Sequence, residues 1–184
     1  MKYGAVIVEN RNINVSEIIE RHNKFLPKDW EVLHISDVPI KNAMDYNLLL
    51  TSPEFWESLP FDKVLIFQHD SGLLREGIEE FLQWDYIGAP WKFSPYVGNG
   101  GLSLRTKEIM LKVIAYEPYS VFQHGNEDVY FANRINKVGG RIAPICEAKK
   151  FAVETMFELG TLGYHAPNKY LTIGQYNEIL NQYK

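Results

Sequence analysis

The amino-acid sequence predicts a single α/β domain over residues 1–184, with a mostly parallel central sheet flanked by helices. Residues 3–8 and 64–67 are short, almost continuously apolar runs, which suit strands buried on both faces. Between these runs, a helical pattern that Ser16 could cap is followed by alternating apolar and polar residues at 30–35. Strand, helix and strand in this order are typical of a parallel α/β unit, and residues 64–67 are expected to form its central strand.

The composition is that of an ordinary globular domain. Hydrophobic residues make up 46% of the 184 residues and charged residues 23%, which is enough for one sizeable core. The net charge of −4 and the lack of a Lys/Arg block argue against a nucleic-acid partner. The single cysteine, Cys146, excludes an intramolecular disulfide and a multi-cysteine zinc site, and is expected to be a small buried residue.

No signal-peptide pattern is seen at the first residues, and no apolar run approaches the length of a transmembrane segment. The expected location is therefore cytoplasmic.

Proline and glycine mark several boundaries of the remaining elements. Pro53 suits the first turn of a helix that Ser52 caps, and Gly139 with Gly140 can end a helix that begins at Glu127. A short strand turning into a loop is expected within residues 84–91. The other predicted strands cover residues 102–104, 141–145 and 149–154, and the predicted helices cover residues 46–51, 53–59, 73–83, 106–114, 127–138 and 173–183.

Polar residues follow the predicted central strand. Asp70 lies just beyond its carboxyl end, which is where ligands of open α/β sheets bind. A carboxylate there can hold a divalent cation, and the cation can hold a diphosphate. The alternative is that Asp70 and Ser71 only form a turn or cap a helix. If the strand continues, His69 points away from Gln68 and Asp70, so we assign His69 to the core or to support of the site.

Three glycines in four positions, at residues 98–101, indicate a close backbone approach or unusual dihedral angles. Asn99, Gly100 and Gly101 could hold a ligand close to the backbone, and a tight turn before a strand is a compatible alternative. Arg105 could pair with a phosphate or, more commonly, with a carboxylate.

Four segments in this order resemble glycosyltransferases of the GT-A fold. They read FQHDS at 67–71, GNGGLSLR at 98–105, EDVYF at 127–131 and GYH at 163–165. The first three, together with DYIGAPW at 85–91, are still more similar to a GT-A-like family known mainly as a domain of unknown function. The resemblance covers most of the chain. It implies a nucleotide-sugar donor and a hydroxyl acceptor on an unknown glycan, lipid-linked molecule or protein.

The resemblance also implies binding residues. Mn²⁺ or Mg²⁺ would bind at Asp70 together with the donor diphosphate, and His165 matches the late histidine that completes the metal shell in that fold. Gln68 stands where the metal-binding turn usually carries its first acid, and an amide oxygen is a weaker ligand than a carboxylate. Glu9 and Arg11, after the first strand, are candidates for ribose hydroxyls and for phosphate or base.

Glu127 and Asp128 are the candidate catalytic residues. A carboxylate at a helix N-terminus lies in a favourable dipole field and stays ionised. An inverting transfer needs one base to remove the proton of the acceptor hydroxyl, and the resemblance assigns that role to Asp128. The alternative is that both acids only complement the helix end.

Two other functions also fit the sequence. Gln68 in the metal-binding turn motivates a non-catalytic nucleotide-sugar or carbohydrate-binding module of the GT-A fold. A nucleotidyltransferase of similar topology usually has a glycine-rich basic loop after the first strand, and this chain has Glu9-Asn10-Arg11-Asn12 there instead.

Overall fold

The computed structural model describes residues 1–94 and 97–182, and these form a mixed α/β fold. The strands are β1 (Tyr3–Val8), β2 (Glu31–Ile35), β3 (Lys63–Phe67), β4 (Ser71–Leu73), β5 (Tyr86–Gly88), β6 (Leu102–Thr106), β7 (Ala152–Val153) and β8 (Gly163–His165). The α-helices are α1 (Val15–Asn23), α2 (Ala43–Leu50), α3 (Pro53–Ser58), α4 (Lys107–Tyr116), α5 (Glu127–Arg134), α6 (Ile145–Phe151) and α7 (Ile173–Asn181). Short 3₁₀ turns cover Ile78–Phe81, Ile135–Val138 and Pro167–Lys169.

The main sheet has the strand order β2-β1-β3-β6-β5. Strand β1 pairs in parallel with β2 and β3, whereas β6 is antiparallel to both of its neighbours, β3 and β5. All strands of this sheet except β6 therefore point the same way, which confirms the mostly parallel sheet. Strand β3 lies in the middle with every residue buried, as predicted for residues 64–67.

Both faces of this sheet are covered by apolar side chains. Leu65 and Phe67 of β3 belong to one core cluster, and Val64 and Ile66 belong to the other. Alternate residues of one strand thus enter two cores, which explains why the run shows no polar alternation in the sequence.

A smaller sheet, β4-β8-β7, replaces the helix that the sequence predicted over residues 73–83. Residues 71–73 pair with β8 instead, and only Ile78–Phe81 forms a 3₁₀ turn. The prediction failed because Leu73 pairs with Gly163 of β8 and because Gly77, with φ of 110°, interrupts the segment before the 3₁₀ turn begins. The pairing places Ser71 opposite His165.

The predicted strands at 141–145 and 149–154 and the predicted burial of Cys146 also need correction. Only Ile142 of the predicted 141–145 strand pairs with another strand, at Tyr86, and helix α6 then begins at Ile145. Of the predicted strand at 149–154, only Ala152–Val153 is extended. Cys146 lies on α6 and is exposed rather than buried.

Helix caps agree with the sequence at some ends and not at others. Ser52 caps α3 as predicted, whereas Asn14 rather than Ser16 caps α1 by accepting the N–H of Glu17 at 3.3 Å. Gly139, with φ of 79°, ends the 3₁₀ turn that continues α5.

The predicted terminal helix is present as α7, although its last predicted residue, 183, lies outside the described residues. Within the described part of the chain, no helix is both long and apolar enough to cross a membrane.

Candidate functional site

A cleft of about 480 Å³ opens where β1 and β3 end and β6 begins. These strand ends meet at one edge of the sheet because β6 runs against β3. The cleft brings together nine of the ten site residues predicted from the sequence, which are Glu9, Arg11, Gln68, Asn99, Gly100, Gly101, Glu127, Asp128 and His165. The tenth, Asp70, does not line the cleft but contacts His165, which does.

The turn after β3 presents Gln68, His69 and Asp70. Ser71 closes the turn by donating its N–H and its hydroxyl to the carbonyl of Gln68, at 3.1 and 2.6 Å. The core, one of the two roles predicted for His69, is not where this side chain lies. His69 lines the cleft with 39% of its side chain exposed, and its Nδ1 lies 2.8 Å from Nη2 of Arg11.

Gln68 and Asp70 both contact the same atom of His165. Nε2 of His165 lies 3.1 Å from Oε1 of Gln68 and 3.2 Å from Oδ1 of Asp70. Oδ1 of Asp70 is buried and receives no hydrogen bond of normal geometry. Nζ of Lys169 lies 2.8 Å from the other oxygen, Oδ2.

These ion pairs shift two pKa values. Burial disfavours the charged form of His165, but its pairs with Asp70 and Glu154 outweigh burial and raise its pKa to about 9. Burial likewise acts to raise the pKa of Asp70, but His165 and Lys169 hold it well below its usual range. Asp70 therefore stays ionised.

Glu154 was not predicted as a site residue. Its buried carboxylate accepts a hydrogen bond from Nδ2 of Asn99 at 2.7 Å and lies 3.1 Å from Nδ1 of His165. This contact turns the opposite nitrogen, Nε2, toward Gln68 and Asp70. The only signal in the sequence was an acid following a short apolar run, which is too common to single out a residue.

Gln68, Asp70 and His165 form a candidate metal group that a divalent cation would occupy by displacing the proton from Nε2 of His165, because a protonated imidazole has no free lone pair there. Adjacent ligands of an octahedral Mg²⁺ lie about 2.9 Å apart, close to the separations of Nε2 from Oε1 and Oδ1. A carboxylate behind the histidine, as Glu154 provides, is the usual support of a metal-bound imidazole. The set depends on the amide of Gln68, because no group of three or more His, Cys, Asp or Glu side chains with metal-ligand geometry occurs within residues 1–94 and 97–182.

Gly100 and Gly101 are required because side chains pack directly against their backbone. A Cβ atom on Gly101 would overlap the imidazole of His165, and one on Gly100 would overlap the carboxylate of Glu127. The candidate metal group and the acidic pair thus meet at two consecutive glycines.

Arg105 pairs with a carboxylate, the more common of its two predicted roles. It makes two hydrogen bonds to Glu127, at 2.5 and 2.9 Å, and both side chains are almost fully buried. The guanidinium lies over the rings of Tyr86 and Phe131. Both oxygens of Glu127 are therefore engaged within the protein.

Asp128 is half-buried in the cleft at the start of α5. Its Oδ2 accepts the N–H of Gly100 at 3.1 Å, and its Oδ1 accepts the N–H of Val129 at 2.8 Å. Burial, followed by the charge of Glu127, raises the pKa of Asp128 to about 6, although the two N–H groups and Arg105 act in the opposite direction. The expectation that the helix dipole simply keeps this carboxylate ionised is thus incomplete, since it gains a proton below about pH 6.

Helix α2 contributes two residues that the sequence did not single out. Oδ1 of Asn47 accepts the N–H of Glu127 at 3.0 Å, and its Nδ2 donates to Oδ1 of Asn126 at 3.3 Å. Asn47 of α2 therefore caps α5. The side chain of Asn126, the residue that precedes α5, makes no capping hydrogen bond. Tyr46, one residue before Asn47, lines the cleft, and its hydroxyl is buried without a hydrogen bond of normal geometry.

Glu9 and Arg11 form a closed pair at the end of β1. Glu9 is buried, and its two oxygens accept hydrogen bonds from the backbone N–H, Nε and Nη2 of Arg11. Chiefly because of the side-chain bonds, the pKa of Glu9 is lowered. The side chain of Arg11 is 57% exposed and that of Glu9 only 5%, so Arg11 is the residue of this pair that a ligand can contact.

Comparisons with known proteins agree with this fold. The structure resembles the crystal structure of a glycosyltransferase involved in the glycosylation of the major capsid of PBCV-1, with a TM-score of 0.57 and 12% identity over 97% of this chain and 98% of that one. It also resembles the apo form of the glycosyltransferase GlyE of Streptococcus pneumoniae TIGR4, with a TM-score of 0.51 and 12% identity over 94% of this chain and 55% of that one.

No curated protein matches the chain. A family model matches residues 29–173, which is most of the sequence. The chain therefore has a fold found in glycosyltransferases, and it belongs to the family described as protein of unknown function (DUF5672).

Proposed function

We propose that the protein is a glycosyltransferase that moves a sugar from a nucleotide-sugar donor to a hydroxyl acceptor, with inversion and with the help of Mn²⁺ or Mg²⁺. One observation carries the proposal. The half-buried carboxylate of Asp128, with a pKa near 6, lines the same cleft as the side chains of Gln68 and His165. A base with a pKa just below neutral is well suited to take a proton at physiological pH.

The donor side of the cleft is the group around Asp70. Asp70, His165 and Gln68 would hold the divalent ion, which neutralises the charge of the diphosphate when bound. Arg11 supplies a further positive charge at the end of β1, where its guanidinium can meet a phosphate or the base. Glu9 fixes Arg11, and it lies where ribose hydroxyls would be bound.

On the acceptor side, Asp128 is the base. It takes the proton of the acceptor hydroxyl while the hydroxyl oxygen forms a bond to the anomeric carbon of the sugar. The bond from that carbon to the diphosphate oxygen breaks, and the nucleoside diphosphate leaves. Glu127 is a positioning residue, because Arg105 occupies both of its oxygens. The backbone of Asn99, Gly100 and Gly101 supports the sugar between these groups. The acceptor is an unknown glycan, lipid-linked molecule or protein.

A second candidate is a non-catalytic module that binds nucleotide sugars or carbohydrate. Two observations favour it: an amide, Gln68, stands in the ligand group, and Lys169 already neutralises Asp70. Both candidates require that the cleft binds a sugar nucleotide, and only the first requires turnover.

The first experiment is a thermal-shift screen of UDP-, GDP-, CMP- and dTDP-sugars with and without Mn²⁺. Donor hydrolysis, and later transfer to an acceptor, is then compared for the wild type, Asp128→Asn and the control Glu108→Gln. Glu108 is an exposed acid in the first turn of α4 and pairs with Lys112. Asp128→Asn should bind the donor normally and lose about 10²–10⁴-fold in rate, whereas the control should keep the full rate.

Full turnover by Asp128→Asn in an acceptor assay would show that another group is the base. A retained anomeric configuration in the product would exclude the single-base mechanism. Donor binding without any turnover would favour the binding module.

A further inference from the structure

Lys169 lies beside the candidate metal group and has no role in the reaction described above. It ends the 3₁₀ turn Pro167–Lys169, which follows closely after His165. Ala166, between them, has a left-handed backbone with φ of 42°, and its N–H donates to the carbonyl of Asp70 at 2.9 Å. A non-glycine residue keeps this conformation only where its surroundings enforce it. The fold therefore holds the Lys169 segment against Asp70.

The two carboxylate oxygens of Asp70 have different neighbours. Oδ2 accepts a hydrogen bond from Nζ of Lys169 at 2.8 Å. Oδ1 is buried without a hydrogen bond and lies in the group with Gln68 and His165. A divalent ion at Oδ1 would share the single negative charge of this carboxylate with Lys169, so each cation weakens the binding of the other.

Lys169 can leave Asp70 at little cost. Its side chain is 57% exposed and has a flexible four-carbon stem, whereas the Asp70 side chain is only 19% exposed. Exposed ion pairs of this kind contribute little to stability, typically below about 1 kcal/mol. The lysine can therefore turn to another anion nearby without disturbing the fold.

We propose that Lys169 is an exchangeable internal cation. It neutralises Asp70 in the empty cleft, and it turns to the diphosphate of the donor when a divalent ion takes the carboxylate. This inference rests on the proposed function, since it assigns a diphosphate to the cleft. It implies that Lys169 opposes metal binding in the absence of nucleotide and supports nucleotide binding, two effects of opposite sign from one side chain.

Calorimetric titration of Lys169→Met tests both effects without measuring turnover. The probes are Mn²⁺ alone, and UDP and GDP each without metal. Lys169→Met should bind Mn²⁺ about 3- to 30-fold more tightly than the wild type and the nucleoside diphosphate about 3- to 30-fold more weakly. Lys169→Arg keeps the charge and should resemble the wild type. Lys150→Met is the matched control, because Lys150 is 60% exposed and pairs with Glu147 on α6, at 2.7 Å.

Unchanged or weaker Mn²⁺ binding by Lys169→Met would overturn the competition at Asp70. Equal diphosphate binding by wild type and Lys169→Met would overturn the transfer of the lysine to the donor. If the wild type bound neither UDP nor GDP, the proposed function would lose its support, whereas the Mn²⁺ titrations would still decide whether Lys169 competes for Asp70.

Discussion

Arg105 and Glu127 form a two-hydrogen-bond ion pair that is shielded almost completely from solvent. Glu127 immediately precedes the candidate base, Asp128, in the sequence, and its charge contributes to the raised pKa of Asp128. The pKa of the candidate base is thus raised in part by a neighbour whose own carboxylate is held by the protein.

Breaking this pair on one side should strongly destabilise the fold. Arg105→Met leaves the carboxylate of Glu127 buried without a partner, which costs about 3–5 kcal/mol. The double variant Arg105→Met/Glu127→Leu removes both charges and should be more stable than Arg105→Met alone. Urea unfolding of the wild type, both single variants and the double variant gives the coupling energy. Additive effects of the two substitutions would mean that the pair is not coupled.

Asp128→Asn should stabilise the protein at alkaline pH. Because the pKa of Asp128 is raised to about 6 in the folded state, its contribution to stability is full below the unfolded pKa and is lost as the pH rises through 6. The asparagine removes this loss. The gain in free energy of unfolding should be about 1–3 kcal/mol at pH 8, roughly half of that at pH 5, and close to zero at about pH 3.5, below the unfolded pKa. Equal gains at all three pH values would contradict a raised pKa.

The same pKa predicts the pH dependence of turnover. Only the ionised form of Asp128 can accept a proton, so the rate of donor hydrolysis should rise about tenfold per pH unit below pH 6 and level off above it. Initial rates between pH 4.5 and 8.5 measure this directly. A profile without an inflection near pH 6 would separate Asp128 from the proton transfer.

Glu154→Gln should weaken metal binding without unfolding the protein. The amide can still accept the hydrogen bond from Asn99, but it no longer supports the imidazole of His165 with a negative charge. Loss of such a supporting carboxylate typically costs about 10- to 100-fold in metal affinity. Mn²⁺ titration in the presence of nucleotide measures the effect.

Asp70→Ala should abolish metal-dependent nucleotide binding, and unchanged affinity in that variant would remove Asp70 from the site.

Gly101→Ala should displace His165. The added methyl group would overlap the imidazole, which must then leave its place beside Gln68. We expect metal-dependent nucleotide binding to be lost, together with part of the stability. Gly174→Ala on α7 is the control, because the nearest atom to its new Cβ is Oγ1 of Thr172 at 3.9 Å. Comparable loss in both variants would point to a general effect of replacing glycine.

The sequence predicted the sheet well because burial of the strands is recorded in the strands themselves. Residues 64–67 are apolar at every position since both faces of β3 are covered. The prediction of a helix at 73–83 failed because the structure of that segment depends on residues outside it. Its first residue, Leu73, pairs with Gly163 of β8, and nothing within the segment shows this partner, which lies 90 residues further along the chain.

The same distinction explains which site residues were found. Asp70, Asp128 and the glycines stand out in short motifs. Glu154, Asn47 and Lys169 acquire their roles from partners 55, 80 and 99 residues away along the chain. A single sequence does not show such pairings, and only the folded chain brings them together.

Because β6 runs antiparallel to β3 and β5, the pairing that positions the glycine turn does not require a crossover connection. The ladder between β3 and β6, from Lys63 opposite Thr106 to Phe67 opposite Leu102, fixes the glycine turn at the sheet edge. The connection from β5 to β6 is a hairpin that closes again at the Pro90–Val97 bridge, and no helix has to cross the sheet within it. Changes in the length of the segment inside the Pro90–Val97 bridge should therefore leave the β3–β6 ladder, and with it the position of the glycine turn, unchanged.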